Sequence, residues 1–400
     1  MAVSFSAKTL LQNSLSRSAP SAVGLLQKRN ESTEFVSAQP SQNLANVRRG
    51  TGGRSSFSGL VCTVFGASGF LGRYVVNQLG KIGSQVVIPY RGEPYFARQL
   101  KLAGDLGQIL FMPFELRDEE AIRKCMKYSN VVVNLIGCDW ETKNFKFDEV
   151  NNEGARRLAK IAKEQGVEKF IQFSSINSSP NPPSFYKQGG SKYLSTKYAG
   201  ELAVREEFPE AIILKLADVY GQEDRFLRYY ASFYRRSFKM LPLYKQGLET
   251  IKMPIHCTDV SKATIKAILD PESNGKTFEI VGPKAYVLND LVEYFYKVMR
   301  YPHIRKTPVH PLFRLKVKWM SMMPSYPILS DDKLEREFVS DKITGNPGLA
   351  DLGITPINLE DRIHWELMPY RKYNYYEPKV GEFPNPDPPP NLGAPRPVFI

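Results

Sequence analysis

The stretch Val61 to Arg73, VCTVFGASGFLGR, most narrows what this 400-residue chain can fold into. An apolar run, Val61 to Phe65, leads into Gly66, Ala67, Ser68, Gly69, Phe70, Leu71 and Gly72. A strand covered on both faces reads as such a run, because neither face meets water. The three glycines divide the work of the turn that follows. Gly66 permits a tight reversal, Gly69 lets a pyrophosphate approach the backbone, and Gly72 lets the next helix pack close to the strand. The N–H groups at the start of that helix then point at the phosphates. Taken alone, three glycines also fit a strand-to-helix turn with no ligand.

The context favours the ligand. Helical periodicity continues through Val75, Val76 and Leu79, and a second strand, Gln85 to Tyr90, ends at Arg91. That is where a ribose-reading residue belongs: a carboxylate there holds a 2′-hydroxyl, whereas an arginine suits a 2′-phosphate and hence NADP(H). The competing reading of Arg91 is a solvated arginine opening a loop. Apolar runs recur at 61–66, 85–90, 108–112, 130–136, 168–174 and 210–216. Helical patterns fall between them, notably Glu149–Gln165 and Tyr193–Glu207. This alternation predicts an α/β fold, a Rossmann-like doubly wound parallel sheet with right-handed crossovers. Further on, a helix over Val260–Leu269, a short strand over Thr277–Val281 and a helix over Val287–Met299 are expected.

The expected organisation is a leader over 1–30, an extended arm over 31–58, the nucleotide-binding unit over 59–250, a smaller α/β region over 251–368 and a Pro-rich extended tail over 369–400. The leader has Ser, spaced Lys and Arg and no acid, the composition of a mitochondrial transit peptide, although plain disorder fits it too. It holds four of the cations behind the formal charge of +13. The rest of the chain is still basic, which suits an anionic partner. No apolar run is long enough to span a bilayer. The four cysteines, Cys62, Cys125, Cys138 and Cys257, contain no C-x-x-C pair and read as reduced core residues. The four histidines show no metal-ligand spacing, so no metal site is expected.

Two segments break the alternation. Arg225–Lys245 and Arg305–Leu329 interleave cations with aromatic and aliphatic residues. Such a mixture serves nucleic acid, an anionic membrane surface or a partner subunit. It equally describes a helix whose aromatics enter the core while its charges face water. The Pro- and Tyr-rich tail cannot continue a helix or a central strand; it suits an extended strap over another surface, or disorder.

Tyr193 and Lys197 stand at i, i+4, so a helix places both on one face. With a hydroxyl near the end of the preceding strand they would form a proton-transfer set. Counting from that strand's final aromatic, Phe173, the hydroxyl position falls on Ile176, which cannot donate a hydrogen bond. Ser175 substitutes only by a register shift, and Ser178 and Ser179 lie nearby.

From Val61 to about Arg300 the chain resembles the extended or atypical short-chain dehydrogenase/reductases. The carriers are the glycine turn, Arg91, the NLIG stretch Asn134–Gly137, Tyr193 with Lys197, Lys215–Gly221 (KLADVYG) and Met253–Val260. In that family the lysine lowers the tyrosine pKa and holds the nicotinamide ribose, while the tyrosine passes the proton. Long strings such as GASGFLGRYVVNQLG, GVEKFIQFSS and FPEAIILKLADVYGQEDRFL resemble one branch over nearly the whole chain: the dehydrogenase-like accessory subunits of mitochondrial NADH:ubiquinone oxidoreductase, complex I. The resemblance implies a peripheral subunit on the matrix side of the inner membrane, holding NADP(H), with NADPH the expected form. Its role would be assembly or stability near the quinone-binding region. Its nucleotide ligands would be Gly66, Ser68, Gly69, Phe70, Leu71, Arg91, Leu135, Gly137 and Lys197. Partners would be other complex I subunits, with anionic inner-membrane lipid a further contact. In that branch the tyrosine position is often another residue, so Tyr193 is a departure that leaves residual catalysis open. Three readings follow in order: a non-catalytic cofactor-holding subunit, a mitochondrial NADP-dependent reductase using Tyr193 and Lys197, and, last, an RNA binder.

Overall fold

Alternate residues of the first apolar run face opposite ways, and that two-residue period builds the molecule's layers. The computed structural model describes residues 49–236, 240–301, 304–322, 329–373 and 384–397. In β1 (Val61–Phe65), Cys62 and Val64 enter one apolar cluster and Phe65 another on the opposite face. The strands β2 (Gln85–Tyr90), β3 (Ile109–Pro113), β4 (Val131–Asn134), β5 (Lys169–Ser175) and β6 (Ile212–Leu216) follow, with β11 (Thr277–Ile280) later in the chain. They form a seven-stranded sheet in the order β11-β6-β5-β4-β1-β2-β3. All of its pairings are parallel. The expected doubly wound α/β sheet is the one observed.

Helices cover both faces. On one side lie α1 (Phe70–Lys81) and, further along, α7 (Cys257–Leu269), whose Val75, Val76, Leu79, Val260 and Ala263 join Cys62 and Val64. After the short α2 (Pro94–Ala97), the other side is covered by α3 (Glu119–Met126), α4 (Gly154–Glu164) and α5 (Lys192–Glu207), through Ile122, Leu158 and Val204. The helix expected from Glu149 opens with a π-helical turn, Glu149–Glu153, before α4 begins.

A second core gathers the remaining elements. It is built from α6 (Leu227–Ala231), α8 (Leu288–Val298), α9 (Pro311–Ser321), α10 (Asp331–Glu337) and α11 (Leu359–Glu366). Short strands stitch it to the sheet. The pair β7 (Val219–Tyr220) with β10 (Ile255–His256) is parallel, and β9 (Ile251–Lys252) runs antiparallel to β12 (Tyr286–Val287). The chain therefore does not divide at 250/251. Residues 251–280 supply α7 and β11 to the sheet unit, whereas Tyr220, Leu227, Tyr230, Leu241 and Leu243 pack in the second core.

The two irregular segments meet each other: β8 (Met240–Pro242) pairs in parallel with β13 (Arg305–Thr307). Phe226, Tyr229 and Tyr230 are buried, so much of the first segment is core. Arg49 to Phe57 of the expected arm closes an antiparallel bridge, with Arg49 and Phe57 exchanging backbone hydrogen bonds at 2.8 Å. In the tail, Gly393 O accepts from Ala285 N at 3.1 Å and Leu392 N donates to Ala285 O at 2.8 Å, which straps it to this same chain. The expected leader over 1–30, the rest of the arm to residue 48 and tail residues 374–383 and 398–400 lie outside the described residues.

Candidate nucleotide site

The site lies where strand order reverses, between β1 and β4, the usual crevice of a doubly wound sheet. The turn after β1 is forced by two glycines. Gly66 has φ +80°, and a Cβ there would stand 3.0 Å from the backbone carbon of Leu135. A Cβ on Gly72 would stand 2.5 Å from both Ala67 Cα and Gly66 O. The helix α1 then starts at Gly69 with no side chain capping it. Its first N–H groups have no intrahelical partner, so a pyrophosphate fits there.

A cavity of about 350 Å³ opens from this turn. Gly66, Gly69, Phe70, Leu71 and Gly72 line it together with Leu135, Gly137, Tyr193 and Lys197. Ser68 and Arg91 are exposed and lie off this lining. Arg91 follows the last residue of β2, with its guanidinium 5.4 Å from the centre of the Phe145 ring. It is thus placed at the end of β2 beside the Phe145 ring.

Lys197 is buried and donates from Nζ to Phe173 O at 3.2 Å. The same nitrogen would be 3.1 Å from a Cβ on Gly137. Burial pulls its ammonium down to about 8, against the favourable fields of Cys138 and Glu201. Beside it Asn151, on the π-helical turn, donates to Thr196 at 3.1 Å, while its buried Oδ1 has no partner. That orphaned acceptor would lie 3.7 Å from a Cβ on Gly137, so it and Lys197 offer an acceptor and a donor beside that glycine. Tyr193 is half-buried, with the centre of its ring 5.9 Å from Lys197 Nζ. Burial pushes its phenol well above the usual value, and the carboxylate Asp332 and Cys138 add to this while Arg225 opposes it.

The hydroxyls around the end of β5 are largely committed elsewhere. Ser174 and Ser178 both donate to Glu201 Oε1, and Lys215 Nζ pairs with its Oε2 at 3.0 Å. Ile176 is buried. Ser175 alone of these serines combines a place in the cavity lining with no role in the Glu201 network. The lysine at 215 is thereby explained as the counter-ion of a buried carboxylate.

The far wall was not foreseen from the sequence. The helix α10 presents Lys333, Arg336 and Glu337 to the cavity, and Arg225 and Asp139 face them. Asp139 pairs with Arg336, with Lys333 at 3.6 Å and with Arg225 at 3.8 Å. The Arg336 guanidinium stacks 4.4 Å from the centre of the Tyr193 ring, and burial lowers its pKa to about 10. Cys138 packs, partly buried, against the core as expected and also lines the cavity; burial pushes its thiol up to about 11. Only the Asp-Asp-Lys-Leu-Glu-Arg-Glu run at 331–337, a strong helix start, could have signalled this wall.

Comparison with known proteins agrees with this layout. Residues 62–281 match the model of the NAD dependent epimerase/dehydratase family. The mouse (Mus musculus) mitochondrial NADH dehydrogenase [ubiquinone] 1 alpha subcomplex subunit 9 is 43% identical, covering 84% of this chain and 88% of its own. The mitochondrial 40 kDa subunit of NADH-ubiquinone oxidoreductase from Neurospora crassa is 38% identical, over 83% and 85% respectively. A dTDP-glucose 4,6-dehydratase from Streptomyces venezuelae, solved with NAD bound, superposes with a TM-score of 0.55 at 17% identity. That match covers 80% of this chain and 99% of the dehydratase, and it speaks for the fold alone.

Proposed function

The chain belongs to the NAD dependent epimerase/dehydratase family, in the branch of the mitochondrial NADH dehydrogenase subunits just described, and on that premise we propose that it is a non-catalytic accessory subunit of mitochondrial complex I that holds NADP(H). We place it on the matrix side of the inner membrane, supporting assembly or stability near the quinone-binding region. The carrying observation is a contrast within one cavity. The parts suited to hold a dinucleotide are present: the Gly66–Gly72 turn, the uncapped start of α1 and Lys197 at the cavity, with Arg91 outside its lining at the end of β2. The parts that would polarise a substrate oxygen are sparse: Ser174 and Ser178 serve Glu201, Ile176 is buried, and Ser175 alone of these serines is left in the cavity lining outside that network.

NADPH, when bound, supplies a hydride donor. Around it this chain's residues bind and orient: the turn takes the pyrophosphate, Arg91 the 2′-phosphate and Lys197 the nicotinamide ribose. The tight hold makes the nucleotide part of the fold's stability by mass action. Extracting the nucleotide from the native assembly tests this. NADPH is expected in stoichiometric amount, unmoved when carbonyl compounds are added. Finding the protein only as a free monomer outside any respiratory assembly would overturn the subunit reading. Arg91→Glu is expected to weaken NADPH binding by roughly tenfold or more, through loss of a charge-assisted contact, while NADH binding changes little. Titration of the two nucleotides against wild type and variant measures it.

The reductase reading keeps one favourable observation, the shared cavity of Tyr193 and Lys197. It predicts NADPH oxidation by some carbonyl that Tyr193→Phe stops. Under the reading proposed here there is no such oxidation, and Tyr193→Phe retains its nucleotide.

A further inference from the structure

The loops that leave the sheet at the carboxyl ends of β2, β3 and β4 meet on one aromatic ring. Arg91 follows β2, Arg117 lies in the loop after β3, and Phe145 lies in the loop after β4. The guanidinium carbons of Arg91 and Arg117 stand 5.4 and 4.6 Å from the centre of the Phe145 ring. The strands are parallel, so all three loops share the edge of the sheet outside which ligands bind in such folds. The ring itself is well fixed. Thr142 N donates to Phe145 O at 2.9 Å and Phe145 N donates to Thr142 Oγ1 at 3.0 Å, which closes a tight turn. Phe145 is partly buried and packs against the core shared by α3, α4 and α5. Arg117 Nε donates to Glu149 Oε1 at 2.6 Å and its Nη2 to Asn144 O at 2.8 Å, which ties it to the residue before the ring.

The two guanidiniums differ in what answers their charge. Glu149 neutralises Arg117, whereas among the described residues no carboxylate forms an ion pair with the exposed Arg91. A long, exposed arginine has much rotamer freedom to lose before it can grip a phosphate. A ring that already holds the guanidinium by its negative face lowers that cost, as preorganisation does. We infer that Phe145 is a positioning residue for nucleotide choice: its ring holds Arg91 ready for a 2′-phosphate, while Arg117, spent on Glu149, anchors the ring. This role holds only if Arg91 takes that phosphate, as proposed for the site. NADPH affinity then depends on Phe145 through Arg91. NADH carries a bare 2′-hydroxyl and does not feel the ring's loss.

The test titrates NADPH and NADH into the full chain and its variants, and reads the ratio of the two affinities. Phe145→Leu keeps apolar bulk without the ring, and Phe145→Tyr keeps the ring. Phe145→Leu and Phe145→Ala are each expected to weaken NADPH by roughly two- to fivefold, the worth of an exposed cation–π contact, and to leave NADH unchanged. Phe145→Tyr should keep the parent's ratio. In an Arg91→Ala background, Phe145→Leu should cost NADPH nothing further, since the ring acts through that arginine. Equal weakening of both nucleotides in Phe145→Leu would mean that the ring merely shapes the loop, and overturns the inference. So does a ratio kept in Phe145→Leu and Phe145→Ala while Arg91→Ala loses it. If Arg91→Ala itself keeps the parent's ratio, the 2′-phosphate reading fails and takes the role of Phe145 with it.

Discussion

A valine at position 72 is expected to abolish nucleotide retention and to lower the melting temperature more than any other single change in the glycine turn. A Cβ there would sit 2.5 Å from Ala67 Cα, Ala67 O and Gly66 O. All three are backbone atoms of the turn itself, so no flexible side chain can move aside. Overpacking of a well-filled site costs about 1–3 kcal/mol, and more where the neighbours cannot yield. Relief would require α1 to move off the turn. That would disturb Val75, Val76 and Leu79 against the sheet and withdraw the helix start from the phosphates. Gly72→Ala meets the same clash and should behave similarly in kind. Gly166→Ala is the matched control. Its φ of +69° strains an alanine, but nothing lies within 4 Å of the added carbon, so it should cost only about 1–2 kcal/mol. Thermal melts with and without NADPH separate the two effects. The control should keep its ligand-induced stabilisation, whereas the position-72 variants lose it. If Gly72→Ala melts like Gly166→Ala, the close packing of helix on turn is wrong.

That turn was legible because its logic is local: strand, glycines and helix are contiguous in the chain. The same holds for Tyr193 and Lys197, whose helical spacing alone puts them on one face, and for strands such as β2, found over the expected residues. The strand expected over 130–136 is found over Val131–Asn134, and beyond it Leu135 and Gly137 line the cavity. The register question around Ile176 could not be narrowed from the strand itself, because Glu201, a helix away, takes up Ser174 and Ser178 and leaves Ser175 in the cavity lining. The far wall was least legible, since Asp139 meets Arg336 from nearly 200 positions along the chain. The Arg225–Lys245 segment shows the same limit. Its sequence allowed a core helix or an exposed basic patch, and the fold makes it both, with Tyr229 and Arg235 inside and Phe233 outside.

Arg235 is the sharpest case and carries the second large effect. Its side chain is 0% exposed, with Nη2 donating to Glu337 at 2.9 and 3.1 Å and to Pro242 O at 2.6 Å. Tyr229 donates to the same carboxylate at 2.9 Å, and the guanidinium lies 5.3 Å from the Tyr229 ring centre and 5.2 Å from that of Phe313. Burial opposes this charge, and Glu337 with the surrounding tyrosines more than restores it, raising the guanidinium pKa above its ordinary value. Arg235 therefore stays charged, and everything rests on its one carboxylate. Glu337→Gln should then destabilise the protein by about 3–5 kcal/mol, the usual cost of leaving a buried charge without its partner. Arg235→Met should cost less than an unpaired arginine would, since methionine fills the space without a charge and Glu337 keeps its hydrogen bond from Tyr229. The double variant Arg235→Met, Glu337→Leu should recover much of the loss, because apolar replacement of a buried pair is often close to neutral. Denaturant melts of the three variants give the coupling directly. Independent, additive losses would mean that the pair does not act as a unit. The pair also anchors α10, so Glu337→Gln should loosen the helix that carries Lys333 and Arg336 and weaken nucleotide retention along with the fold.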